Sequence, residues 1–150
     1  MSFSLNTTVY NRLSQGNFIV IGRAGLDLYP YPAGTDTKYA QKFESDLGGS
    51  AANIAVSLSR LGCNAFLCST FADDSVGNFI MNKLSQYKVN TKYCATISGV
   101  FKNSLALAEN KSQNPKVVIY RNNASDLQIS KDIVKTIDFE LISGLIVTGT

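Results

Sequence analysis

Histidine is absent from the sequence. A serine or cysteine nucleophile activated by an imidazole is therefore excluded, and mixed cysteine and histidine zinc sets cannot be completed. Cysteine is scarce as well. Cys63, Cys68 and Cys94 are odd in number and contain no CxxC pair, so they read as buried, reduced thiols. Also missing are a basic N-terminal segment followed by an uninterrupted apolar run and any window long enough to cross a bilayer. A soluble, cytoplasmic protein without a membrane partner is expected. Charge of one sign is not concentrated anywhere: Lys and Arg total 14 against 11 Asp and Glu, a formal net charge of +3 spread along the chain. Such a distribution gives nucleic acid no electrostatic footprint.

What is present suits one compact unit, since 150 residues with 45% hydrophobic content can bury a core. After a polar leader, Met1 to Gly16, the run Phe18-Ile19-Val20-Ile21 closed by Gly22 predicts a strand buried on both faces. Between Gly25 and Asp46 the text is punctuated by Pro, Tyr and Gly, which suits surface loops and extended segments forming a lid or flap. Gly48-Gly49-Ser50 opens a helix with Ala51, Ile54, Ala55, Leu58 and Leu61 on one face, stopped by Gly62. Ala65 to Phe71 predicts a second strand. Asp73-Asp74-Ser75 then leads into a helix with Val76, Phe79, Ile80, Leu84 and Tyr87 on one face.

Further on, Ser104 to Glu109 and Lys116 to Arg121 read as a hairpin joined by the polar turn 110–115. A short helix near Ser130 to Thr136 precedes the apolar run Leu141 to Val147, which ends on Gly149 and Thr150. The last strand, Leu145 to Thr148, would leave an exposed apolar edge without neighbours, so the chain is expected to be incomplete and prone to association.

Several residues could carry chemistry. Asp27 lies just past the first strand, where open α/β sheets place their ligand crevice, and reads either as an exposed turn carboxylate or as a group accepting from two sugar hydroxyls. Gly48-Gly49 is either a tight turn needing positive φ or a close backbone approach to a ligand at a helix N-terminus. Asn53, in the first turn of that helix, could reach the same crevice or simply face solvent. Arg121 ends the second hairpin strand and could grip a carboxylate, carbonyl or phosphate as a fork, or pair with a surface acid; Arg23, nearer Asp27, has the same two readings. Gly22-Arg23-Ala24-Gly25-Leu26-Asp27 lacks the third glycine of a dinucleotide loop, and no GxxxxGK[ST] loop occurs.

Taken in order, Asp27, then Asp46-Leu47-Gly48-Gly49-Ser50-Ala51-Ala52-Asn53-Ile54-Ala55 with Arg60-Leu61-Gly62, then Asp73-Asp74-Ser75-Val76-Gly77, resemble the motifs of the PfkB/ribokinase family of carbohydrate kinases across nearly the whole chain. The resemblance implies a ribokinase-like three-layer α/β/α fold with a mostly parallel central sheet and a small β lid. Residues 1–150 would be the N-terminal part of a single domain, with lid segments at about 28–46 and 96–121. It implies a sugar site lined by Asp27, Gly48, Gly49 and Asn53, joined by Arg121 and Arg23, and a homodimer formed through the lid. ATP and Mg²⁺ would be held mainly by a C-terminal half carrying a GxGD-like loop with the catalytic base, and no such loop occurs here. Hence no catalytic, nucleotide or metal residue is assigned, and the 150-residue chain alone is expected to be inactive.

Within the family, Gly22 to Pro30 and Tyr120 to Asp126 look most like kinases of keto-deoxy sugar acids, those of inositol breakdown foremost. 5-Dehydro-2-deoxygluconate is the substrate this implies, with 2-dehydro-3-deoxygluconate, fructose or ribose as alternatives. A non-catalytic sugar-binding fragment is the remaining alternative.

Overall fold

A computed structural model describes residues 11, 14–111 and 113–149; most of the polar leader, and Thr150, fall outside them. In chain order the strands are β1 (Asn17–Ile21), β2 (Gly25–Tyr31), β3 (Lys42–Gly48), β4 (Asn64–Cys68), β5 (Thr70–Ala72), β6 (Ala95–Ile97), β7 (Leu105–Ala108), β8 (Val117–Tyr120) and β9 (Gly144–Val147). The helices are α1 (Ser50–Arg60), α2 (Ser75–Gln86) and α3 (Lys131–Lys135).

The first apolar run forms β1, which lies between β4 and β9 and is parallel to both. Alternation along the strand sends Val20 and Ile19 to opposite faces. Val20 packs with Ala51, Ala52 and Ala55 of α1, Leu67, and Ile80 and Leu84 of α2. Ile19 packs on the other side with Cys68, Tyr93 and Ile137, against which Ile133 and Val134 of α3 lie. The sheet is thus covered on both faces, the three layers of an α/β/α sandwich.

Helix α1 starts at Ser50 as expected, and its Ala51, Ala52, Ala55 and Val56 are buried, whereas Leu61 sits past the last turn and is 51% exposed. Asp74 caps α2, accepting from the backbone N–H of Val76 and Gly77, both at 3.0 Å. The predicted strand Ala65 to Phe71 divides at Ser69 into β4 and β5. Its carbonyl accepts from Ala95 N–H, and the chain changes partners there, so that β5 pairs in parallel with β6. A continuous apolar run hides such a change of partner.

The Pro-rich stretch, expected as loops and extended segments, is mostly extended: β2 and β3 pair antiparallel in unbroken register from Gly25 opposite Gly48 to Tyr31 opposite Lys42. Pro30 masks the strand signal because it lacks an N–H, and it is accommodated opposite Phe43. Strand β7 adds to β2 in parallel, and the expected hairpin brings β8 onto β7, giving the order β3-β2-β7-β8. This sheet begins at Gly25 and extends to Gly48; residues 95–97 belong with β5. Strand β9 begins only at Gly144, because Leu141 closes a 3₁₀ turn, and it forms an edge on which Leu145 and Val147 are 51% and 68% exposed.

Candidate functional site

The carboxyl end of β1 is where a parallel sheet opens its crevice, and the chain leaves it through the buried residues Arg23 and Ala24. That link is held from two sides. Ala52 N–H, in the first turn of α1, donates to the Arg23 carbonyl at 3.3 Å, and Leu26 N–H donates to the Ser104 carbonyl at 3.0 Å. The Arg23 side chain points the same way, its Nε donating to Ser104 Oγ at 2.8 Å. Nearby, Ser50 Oγ donates to Thr148 Oγ1 at 3.1 Å and joins the start of α1 to the end of β9.

Asp27 is in β2, not in a turn, and its side chain is only 17% exposed. Its Oδ2 accepts from the Tyr29 hydroxyl at 3.2 Å. Its Oδ1 lies 4.0 Å from Arg23 Nη2, and both atoms are buried with no hydrogen-bond partner among the described residues. Burial, and then the Asp27 charge beside it, push the Tyr29 phenol above its ordinary pKa, so it stays a donor.

The two glycines have different jobs. A Cβ on residue 48 would stand 1.9 Å from Asp27 Oδ1, so Gly48 is the space into which the carboxylate packs. Gly49 caps α1 with φ at 98° and has the Arg23 carbonyl oxygen 2.4 Å from where a Cβ would be. Of the two readings of the pair, Gly49 shows the turn needing positive φ, and what it approaches closely is the chain's own backbone.

Arg23, Asp27, Gly48 and Gly49 come together at one place; Asn53 lines a neighbouring groove, and Arg121 follows β8, whose Tyr120 stands opposite Leu105, itself opposite Leu26. One step round the helix from the buried Ala52, Asn53 is turned to the exposed side and lines a neighbouring groove of about 130 Å³ with Asp46, Leu47, Arg60 and Tyr87. Arg121 directs both Nε and Nη2 to Asp126 Oδ2, at 2.8 and 2.5 Å. Of its two readings the acid partner is what the structure shows, but the acid is buried, not on the surface, with 4% of Asp126 exposed.

Four participants escaped the sequence reading. Tyr29 carried a signal, because residues two apart in a strand share a face. Ser104 and Asn103 carried none, since their partners are remote in the chain: Asn103 Oδ1 accepts from Ala72 N–H and Ser125 Oγ, both at 3.2 Å, and its Nδ2 donates to Asp74 Oδ1 at 3.0 Å. Asp126 stood inside the Tyr120 to Asp126 segment without being given a role.

The model of the pfkB family carbohydrate kinases matches residues 15–150. The chain belongs to the PfkB family. It is 38% identical over 132 residues to a 5-dehydro-2-deoxygluconokinase of Photobacterium profundum, covering 88% of this chain and 40% of that protein. A 5-dehydro-2-deoxygluconokinase of Mesomycoplasma hyopneumoniae is 33% identical over 138 residues, covering 89% of this chain and again 40% of the relative. The chain thus spans about 40% of the length of the curated relatives it matches. Among solved structures, a 2-dehydro-3-deoxygluconokinase of Thermotoga maritima superposes with a TM-score of 0.79 at 21% identity, over 89% of this chain and 41% of that one. A sugar kinase of Pyrococcus horikoshii gives 0.71 at 25% identity, over 83% and 39%. The fold is therefore ribokinase-like.

PfkB kinases use ATP, which raises the question of whether these residues could hold it. The Ala52 amide at the start of α1 is already taken by the Arg23 carbonyl. No group of three or more His, Cys, Asp or Glu is placed to hold a metal ion among the described residues. Nor is any helix among the described residues long and apolar enough to cross a membrane.

The PfkB chain holds its second sheet together electrostatically at the end remote from Asp27. Glu109 accepts from Thr37 N–H at 2.9 Å and Lys116 N–H at 3.0 Å, and Lys111 Nζ lies 2.9 Å from it while also bonding Asp36 at 2.5 Å. The Thr37 amide and then Lys111 lower the Glu109 carboxyl to about 2. Asp36 and then Glu109 raise Lys111. The three cysteines are free, and burial pushes the Cys94 thiol up to about 12.

Proposed function

We propose that the whole protein transfers the γ-phosphoryl group of ATP to a hydroxyl of a keto-deoxy sugar acid, 5-dehydro-2-deoxygluconate foremost, as a cytoplasmic enzyme of inositol breakdown. The observation that carries this reading is Asp27, a mostly buried carboxylate of β2 just past the carboxyl end of β1, with Oδ1 packed against Gly48 and Oδ2 accepting from the Tyr29 hydroxyl. The names of the relatives, at 38% and 33% identity, favour that substrate over others of the family.

In this reading the chain supplies position. Asp27 accepts from sugar hydroxyls, and Gly48 and Gly49 set the carboxylate and the helix start around it. Asn53 borders the site from its groove. Arg121 meets the acid group of the sugar, with Asp126 fixing the plane of its guanidinium as a forked contact requires. Arg23 stabilises the charge of Asp27. The base, the nucleotide and Mg²⁺ belong to the part of the relatives' length that this chain does not span, and catalysis there is mostly positioning and electrostatics. The second sheet acts as a lid and pairs with that of another copy. In support, every residue of β8, from Val117 to Tyr120, is at least half exposed.

The test is a panel: ATP-dependent phosphorylation of 5-dehydro-2-deoxygluconate, 2-dehydro-3-deoxygluconate, fructose and ribose by the protein as its gene encodes it. A kcat/KM highest for the first supports the reading, and a preference for a neutral sugar contradicts it. Robust turnover by residues 1–150 alone would contradict the division of labour.

A further inference from the structure

Asp27 offers a ligand only one of its two oxygens. Oδ1 is closed in by Gly48, where even a methyl group would collide, and Arg23 Nη2 stands 4.0 Å from it. That leaves Oδ2, which already has the Tyr29 hydroxyl beside it at 3.2 Å. An O–H donor meeting a carboxylate normally closes to about 2.5–2.7 Å, so this contact is long and leaves room for a second hydroxyl on the same oxygen. The phenol is fixed there by strand geometry, because residues 27 and 29 project from the same face of β2. Across the ladder from them stand Asp46 and Glu44, which are acceptors, so the phenol is the one neutral hydroxyl next to the open oxygen in that pair of strands.

A sugar hydroxyl seated on Oδ2 is placed next to the phenol oxygen, and a hydroxyl on the adjacent carbon of the sugar then has that oxygen as its acceptor. We infer that Tyr29 is a substrate-contacting residue, its phenol and Asp27 Oδ2 together reading a vicinal pair of hydroxyls. This rests on the sugar-binding role proposed for Asp27. The phenol is protonated throughout the neutral range, since burial and the neighbouring carboxylate raise its pKa. Both residues belong to β2, in the sheet proposed as the lid, so the vicinal pair is read by one strand.

The experiment is steady-state phosphorylation of 5-dehydro-2-deoxygluconate by the protein as its gene encodes it. Tyr29→Phe is expected to raise the sugar KM roughly 3- to 10-fold, the effect of losing one neutral hydrogen bond, with kcat near wild type. Tyr31→Phe, two residues on and 51% exposed, is expected to change neither constant. An analogue lacking the hydroxyl assigned to the phenol oxygen is expected to show the same KM with wild type and with Tyr29→Phe. A sugar KM unchanged by Tyr29→Phe overturns the inference while leaving the kinase reading intact. Absence of sugar phosphorylation by the wild type overturns the reading and the inference with it. If Tyr29→Phe does not fold, deoxy analogues tested on the wild type decide: a KM indifferent to removal of every hydroxyl that has a hydroxylated neighbour also overturns it.

Discussion

Asp27 Oδ1 and Gly48 are packed so closely that a Cβ on residue 48 would lie 1.9 Å from that oxygen and 2.4 Å from the carboxyl carbon. The carboxylate cannot give way easily, because Tyr29 and Arg23 flank it. Gly48→Ala is therefore expected to cost about 1–3 kcal/mol of stability through overpacking. The same change in an Asp27→Ala background should cost much less, since the collision is gone, and urea midpoints of the four proteins in the cycle measure the difference. Equal costs in both backgrounds would contradict the contact.

Removing the guanidinium of Arg121 strands the carboxylate of Asp126, whose side chain is fully buried and whose Oδ1 has no hydrogen-bond partner among the described residues. Arg121→Met should destabilise by about 3 kcal/mol, as expected for a buried charge left without its partner. Adding Asp126→Leu should restore much of that loss in a denaturant titration. Sugar affinity should not return with it, which separates the proposed binding role of Arg121 from its structural one.

Much of the scaffold was legible because it follows local rules. The helix after Gly48-Gly49, the capping Asp74, the hairpin from Ser104 to Arg121 and the central strand all show periodicity or punctuation that maps onto the structure. Strands β2 and β3 were legible only as a mixture of loops and extended segments, because Pro30 and Pro32 interrupt the alternation of Leu26 and Leu28 with Asp27 and Tyr29. Asp27 and Gly48, whose packing the structure shows, were singled out by position in the chain alone. Contacts spanning long stretches of chain could not be read: Arg23 with Ser104, 81 residues away, and Asn103 with Asp74, 29 away, exist only through folding. Asn53 was drawn to the crevice by its motif, but its face of α1 depends on which residues the sheet buries.

Acid should loosen the proposed lid selectively. The Glu109 carboxyl is lowered from 4.5 to about 2 in the folded chain, so its contribution is fully present above about pH 4.5 and is lost as pH falls towards 2. Hydrogen exchange of Thr37 and Lys116 amides should accelerate across that window relative to β1. Glu109→Gln should make exchange at those amides fast already at pH 6 and remove the acid step, and a retained step would show that another group is responsible.

Association is predicted to run through β8, whose Val117, Val118, Ile119 and Tyr120 are 58%, 50%, 52% and 59% exposed. A lysine at an exposed edge position discourages strand pairing. Ile119→Lys should convert the protein from dimer to monomer in light scattering at micromolar concentration. A wild type that is already monomeric would contradict a lid-mediated dimer.

The most direct measurement of the central claim is the sugar KM of Asp27→Ala in the protein as its gene encodes it. Loss of a charge-assisted hydrogen bond costs about 1.5–3 kcal/mol, so KM for 5-dehydro-2-deoxygluconate should rise roughly 10- to 150-fold while KM for ATP stays within about twofold. A sugar KM equal to that of the wild type would contradict the assignment of Asp27, and with it the sugar site at the carboxyl end of β1.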